Sequence, residues 1–155
     1  MGLISNGTTI FDAGALDSGL AKGAMTFIKK LTASSSATLS FVDGASSVVL
    51  DNTYKEYLFT FNNIHPATDN TQFAFQVDTG TNTSYNIACT SSTFRAYHNE
   101  AGNDAGLGYV TGEDQAQGTS FQNLNFADSV GTDNDMGMSG SLRIFNPADT
   151  NFVKH

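Results

Sequence analysis

The sequence predicts an all-β protein: an antiparallel β-sandwich of jelly-roll type behind an extended N-terminal arm. Three observations predict it. Short apolar runs, several of them alternating with polar residues, recur at close spacing between Gly-, Asx- and Ser/Thr-rich connections. Both prolines, Pro66 and Pro147, fall in connections, where a β-protein tolerates them. Residues 18–22 are the only stretch that reads as even one turn of helix.

Residues 1–23 form the arm. Glycines stand at 2, 7, 14, 19 and 23, small polar residues lie between them, and neither a helical nor a strand period runs through the segment. Leu3, Ile4, Ile10 and Phe11 are its apolar anchors. An arm of this kind can order on a partner, where extended chain can add a strand to an open sheet edge, or can stay a floppy tail. These four residues are therefore the candidate partner-binding site.

Residues 24–155 form the sandwich domain. Residues 25–31 read as its first strand, and the Ser-rich 33–37 as a connection. Residues 38–42 and 47–50 read as two strands joined at Asp43-Gly44, a strong hairpin dipeptide. In 57–62 the aromatic residues Tyr57, Phe59 and Phe61 share one face. Residues 64–70 hold Pro66, Asp69 and Asn70 and read as a turn. In 72–78, Phe73, Phe75 and Val77 point one way and Gln72, Gln76 and Asp78 the other, as in a strand with a core face and a wet face. Further strands are expected at 85–90, 93–98, 107–111, 121–124, 139–145 and 151–154. The last of these breaks off within a strand, so the domain reads as incomplete at its C-terminal end or as covered there by a partner.

Composition narrows the partners. A chain of 155 residues suits one domain with a real core. With 7 Lys and Arg against 15 Asp and Glu, the net charge is −8, and Lys29-Lys30 is the one adjacent basic pair. A phosphate backbone needs clustered cations, so direct nucleic-acid binding is not expected. No apolar run approaches the ~20 residues of a membrane-spanning helix, and 1–11 lack the pattern of a secretion signal. Charged residues make up 14% of the chain, against about 25% in ordinary soluble domains. Low charge removes one barrier to association, which fits life in an assembly.

Searching for chemistry returns little. The single cysteine, Cys89, has no internal disulfide partner and sits in a predicted strand, so a structural role is expected. His65, His98 and His155 show no metal-ligand spacing, and His65 and His98 read as structural hydrogen-bonding residues. No P-loop, dinucleotide fingerprint or nucleophile elbow is present. Glu113-Asp114 and Asp133-Asn134-Asp135 could supply oxygens to a calcium ion, but the spacing of a calcium loop is missing and solvated loops are expected. The triplets at Asn6 and Asn82 match a glycosylation pattern that chance supplies freely in a chain this rich in Asn, Ser and Thr. No catalytic residue, metal ligand or cofactor is assigned.

Thr32-Ala33-Ser34-Ser35-Ser36-Ala37-Thr38-Leu39-Ser40-Phe41-Val42-Asp43-Gly44 resembles a segment of structural proteins from marine and cyanobacterial tailed phages. So do Tyr57-Leu58-Phe59-Thr60-Phe61-Asn62-Asn63-Ile64-His65-Pro66-Ala67-Thr68-Asp69-Asn70 and the terminal Asn146-Pro147-Ala148-Asp149-Thr150-Asn151-Phe152-Val153-Lys154-His155. The opening 2–10 and the stretch 114–119 are similar too. The resemblance runs along nearly the whole chain, but members of that group continue past the Phe-Val-Lys-His segment. It implies a virion structural protein with no enzymatic activity and does not fix the place in the particle, for which the exterior is the leading expectation. Capsid or tail proteins and further copies of the chain would be its partners. A capsid decoration, cement or fibre subunit is the leading expectation. A tail or baseplate fibre adaptor, or a module that binds host glycan, are the alternatives.

Overall fold

The computed structural model describes residues 3–12, 15–16, 25–80, 83–126 and 130–150. Among them are nine short strands and a single 3-10 turn, so the protein is all-β. The strands are β1 (Leu3–Ser5), β2 (Thr8–Asp12), β3 (Ala15–Leu16), β4 (Glu56–Ile64), β5 (Ala74–Phe75), β6 (Phe94–His98), β7 (Ala105–Tyr109), β8 (Gln122–Asn123) and β9 (Met138–Phe145). They form one three-stranded sheet, β1-β2-β3, and three two-stranded sheets, β4-β9, β5-β8 and β6-β7. The sheets are small and none closes on itself. The expected helical turn at 18–22 and the strand at 151–154 lie outside the described residues.

The chain divides into two compact units, Met1–Tyr57 with Arg143–His155, and Leu58–Leu142. In the first unit the N-terminal segment is an antiparallel meander rather than one extended run: Ile4 pairs with Thr9, Ser5 with Thr8, and Phe11 with both Leu3 and Leu16. The turn that reverses it is Asn6-Gly7, both at positive φ, 47° and 77°. Two successive left-handed residues match the twist of a tight hairpin, and Asn and Gly adopt them at least cost.

Two expected elements of this unit do not form. Residues 25–31 have no strand partner, and Phe27 is exposed. Around Asp43-Gly44 the turn is present but no ladder follows. The Gly44 amide donates to the Val48 carbonyl, the Val48 amide to the Ala45 carbonyl, and the Leu50 amide to the Asp43 carboxylate at 2.7 Å. Those local bonds use the groups a hairpin ladder would need. The small core of the unit is Val48 and Tyr57, the latter 4% exposed, with its hydroxyl donating to the Asp51 carbonyl at 2.8 Å and its ring edge-on to Tyr54. Burial raises the Tyr57 phenol above its ordinary pKa. Glu56 and Arg143 form an exposed ion pair at 2.8 Å.

Along β4 the alternation read from sequence holds. Tyr57 is buried and Phe59 and Phe61 are half-buried, while Leu58, Thr60 and Asn62 are exposed. In the second unit Phe61 packs edge-on against Phe73, ring centres 4.9 Å apart, and Val130 is buried. The predicted strand 72–78 shrinks to Ala74–Phe75, and Val77 is exposed. Side-chain amides displace its ladder: Gln76 accepts from the Val77 amide and donates to the carbonyls of Thr119 and Ser120, while Asn125 accepts from the Phe73 amide. Residues 85–90 contribute one bridge, Cys89 to Gly118, in place of a strand. The same Asn, Gln, Ser and Thr residues that make the chain look β-rich satisfy its backbone locally and keep the strands short.

Candidate functional site

Polar residues of the second unit converge around Gln122 and Glu113. Glu113, ending the 3-10 turn Thr111–Glu113, accepts from the side-chain amides of Gln72 at 3.1 Å and Asn123 at 2.8 Å. Asp114 accepts from the Thr93 amide at 2.7 Å and from the Tyr109 hydroxyl. Gln122, 9% exposed, is the centre. Its carbonyl oxygen accepts from the Ser91 hydroxyl at 2.6 Å and from Gln115 at 3.2 Å, and its amide donates to the carbonyls of Glu113 and Asn123. Gln115 Oε1 is buried without a hydrogen-bond partner and lies against Gly118, where a Cβ would collide with it.

This arrangement holds loops together rather than presenting reactive groups. Glu113 and Asp114, expected in a solvated loop, instead spend their oxygens on protein donors. Bonding to Asp114 raises the Tyr109 phenol, because the hydroxyl must stay protonated to donate. Asp133 closes a turn through its carbonyl, which accepts from the Met136 amide. Asp69 accepts from the amide and the hydroxyl of Thr132, which lower its pKa. Among the described residues no three His, Cys, Asp or Glu come together as metal ligands.

The histidines stand as local hydrogen-bonding residues. His65 Nε2 lies 3.0 Å from Asn63 Oδ1, and His98 Nδ1 lies 3.1 Å from the Asn99 carbonyl. His155 is outside the described residues. Cys89 is a half-buried free thiol. No helix among the described residues is long and apolar enough to cross a membrane.

What the surface does offer is apolar. The meander collects all four arm residues read from sequence: Leu3 and Ile4 on β1 are exposed, Ile10 on β2 is half-buried, and the Phe11 backbone lies opposite Leu3. A bulge falls between Leu3 and Ile4, and β1 is an edge strand. The sequence reading missed the turn that assembles these residues, although Asn6-Gly7 is the strongest short hairpin signal there is.

A second apolar surface, also missed, lies on the β6–β7 hairpin. Its rungs pair Phe94 with Tyr109, Arg95 with Gly108, Ala96 with Leu107, Tyr97 with Gly106 and His98 with Ala105. Directly paired residues share a face. One face carries Arg95 and Tyr97; Tyr97 lies over Gly106, which leaves no room for a Cβ there. The Arg95 guanidinium stacks on Tyr97 and on Phe126. On the other face Phe94, Leu107 and Tyr109 are 72%, 84% and 53% exposed. The missed signal is that aromatic residues occupy both faces of 94–98, so a period of two does not reveal which side is inward.

Compared with models of protein families, with curated proteins and with solved structures, the chain matches none.

Proposed function

We propose that the protein is a structural subunit of a virus particle, a decoration, cement or fibre protein on the exterior of a tailed phage. In this reading it works by packing and carries out no reaction. The observation that carries the packing role is the placement of its apolar side chains. Among the described residues, three hydrophobic side chains are buried, Val48, Tyr57 and Val130, while fifteen large ones are exposed. Where such side chains share one face, as Phe94, Leu107 and Tyr109 do on β6–β7, they favour a chain that meets other proteins. The virion setting is supported by the resemblance of residues 32–44 and 57–70 to phage structural proteins.

The arm is the docking element: Leu3 and Ile4 sit exposed on an edge strand that offers free backbone groups to a shell or tail neighbour. Many identical copies on one particle supply avidity, so each contact can be weak. The antiparallel sandwich of jelly-roll type is the arrangement we assign to the assembled subunit, in which neighbouring strands extend the small open sheets.

The test uses the full chain with Leu3→Asp and Ile4→Asp together. Capsids or tails stripped of the protein are incubated with each form, and occupancy is read by electron microscopy. The double variant is expected to bind about tenfold more weakly or worse, since each aspartate must be desolvated at the contact. Full occupancy by the variant sinks the arm assignment. Absence of the chain from purified particles by mass spectrometry sinks the virion role.

A further inference from the structure

The arm turns at the one asparagine in the chain that glycine follows, Asn6-Gly7. Such a dipeptide can react with itself. The Gly7 backbone nitrogen attacks the Asn6 side-chain carbonyl carbon. The N–Cγ bond forms, the Cγ–Nδ2 bond breaks, and the side-chain nitrogen leaves as ammonia with the Gly7 amide proton. Water then opens the resulting cyclic imide at either carbonyl, to aspartate or to isoaspartate, with no change of oxidation state. Glycine favours the ring because, without a Cβ, the main chain bends into it at least cost. We propose that Asn6 is a site of spontaneous deamidation and that its isoaspartyl product undoes the β1–β2 hairpin. The inference goes beyond the packing role and stands without it.

What selects Asn6 is comparison with Asp43-Gly44, the one aspartate that glycine follows. Both dipeptides lie in exposed turns, and both glycines are left-handed, with φ of 77° at Gly7 and 74° at Gly44. At Asp43-Gly44 both reacting groups are engaged. The carboxylate accepts from the Leu50 amide at 2.7 Å, and the Gly44 amide donates to the Val48 carbonyl at 3.0 Å. At Asn6-Gly7 neither is: among the described residues nothing bonds the Asn6 side chain or the Gly7 amide.

The Asn6-Gly7 turn is also lightly held. β1 is a three-residue edge strand with a bulge between Leu3 and Ile4. Short elements near a terminus open at little cost. Opening lets Asn6 leave its left-handed conformation and bring its side chain onto the Gly7 nitrogen.

The isoaspartyl product fails in the turn for a geometric reason. Its main chain runs through the former side-chain methylene, so the loop gains a backbone atom. Ser5 lies opposite Thr8 with two left-handed residues between them, a closure that only the shorter loop makes. The aspartyl product keeps the loop length, and Asp-Gly suits the same turn. Either product adds a carboxylate to a chain already at −8.

The experiment ages the full chain at mildly alkaline pH, which favours the nucleophilic amide nitrogen, and follows each asparagine by proteolysis and mass spectrometry. It is run on the wild type, Asn6→Gly and Asp43→Asn, with urea-unfolded wild type as the reference for unhindered reaction. Gly-Gly keeps the hairpin turn and has no side-chain amide to lose. Asp43→Asn gives both turns the same reacting dipeptide and leaves an oxygen to accept from the Leu50 amide. Asn6 is expected to convert first among the asparagines of the folded wild type. In Asp43→Asn, position 43 is expected to convert at least about tenfold more slowly than position 6, since two hydrogen bonds must open first. A folded chain that keeps Asn6 intact while the unfolded chain converts it overturns the proposal. So does equal conversion at positions 6 and 43. The isoaspartyl fraction is then separated and compared with fresh protein by NMR. Proton contacts between Ile4 and Thr9 across the hairpin are expected in fresh protein and in aged Asn6→Gly, and lost in the isoaspartyl form. Contacts that survive in that form overturn the effect on the hairpin.

Discussion

Around Gln122 the second unit ties amides, carboxylates and hydroxyls to one another by hydrogen bonds, while on the outer face of β6–β7 it leaves Phe94, Leu107 and Tyr109 exposed. The two regions are tied together: Tyr109 belongs to the exposed face, and its hydroxyl donates to Asp114 beside the polar cluster. Most domains do the reverse, because burying a large apolar side chain stabilises by about 1.5–3 kcal/mol, whereas a buried amide contributes only when every group on it is bonded. The contrast teaches that side-chain hydrogen bonds, more than apolar burial, tie this unit's loops together. On the proposed packing role, that division leaves the polar cluster to fix the geometry and the apolar face open to a neighbour.

The contrast can be broken at three points. Gln122→Ala should cost about 2 kcal/mol, because it leaves the Ser91 hydroxyl proton without its acceptor and takes one of two bonds from both the Gln115 amide and the Glu113 carbonyl. Urea denaturation would register the loss, and a change below about 0.5 kcal/mol, the size of an ordinary surface substitution, would mean the polar cluster is not what holds the unit.

Asp114→Asn should have a smaller effect, about 1 kcal/mol, since asparagine can still accept from the Thr93 amide. Its sharper signature is spectroscopic. The Tyr109 phenol is raised above 10.0 by its bond to Asp114. A raised pKa means that the neutral phenol is favoured in the folded state. The bond's contribution is therefore present below the unfolded value and is lost as pH climbs through the folded one. In Asp114→Asn the tyrosine absorbance titration should gain a group at lower pH; superimposable titrations would remove Asp114 as the cause.

Leu107→Ser should have the smallest effect on unfolding of the dilute monomer, within about 0.5 kcal/mol, because the side chain gives up almost nothing when the chain is alone. A loss of several kcal/mol in dilute solution would show that Leu107 is covered within the monomer and would undo the contrast.

Legibility from sequence followed the same division. The all-β class was legible, and so was the buried face of β4, because Tyr57, Phe59 and Phe61 recur every second residue and nothing competes with them. The arm's apolar residues were legible as a group, but their assembly on a hairpin was overlooked, although Asn6-Gly7 was there to be read. Strand extents were not legible in 38–50 or 72–78. There the deciding bonds run from the Asp43, Gln76 and Asn125 side chains to backbone groups, at separations from one residue to more than fifty, and no periodicity carries them. Glu113 and Asp114 looked like a solvated pair because nothing near them in sequence foretells the amides of Gln72 and Asn123.

By itself the sequence determined the kind of element and which spaced motifs the chain carries. Alternation and turn chemistry act within a few residues, and the catalytic motifs sought here are defined by residue types at set spacings. Only the tertiary structure decided which alternating run became a ladder, which carboxylates were consumed as acceptors, and which side of 94–98 faces outward. Those outcomes depend on donors and acceptors brought together from distant parts of the chain, and on which face of a hairpin finds something to cover it.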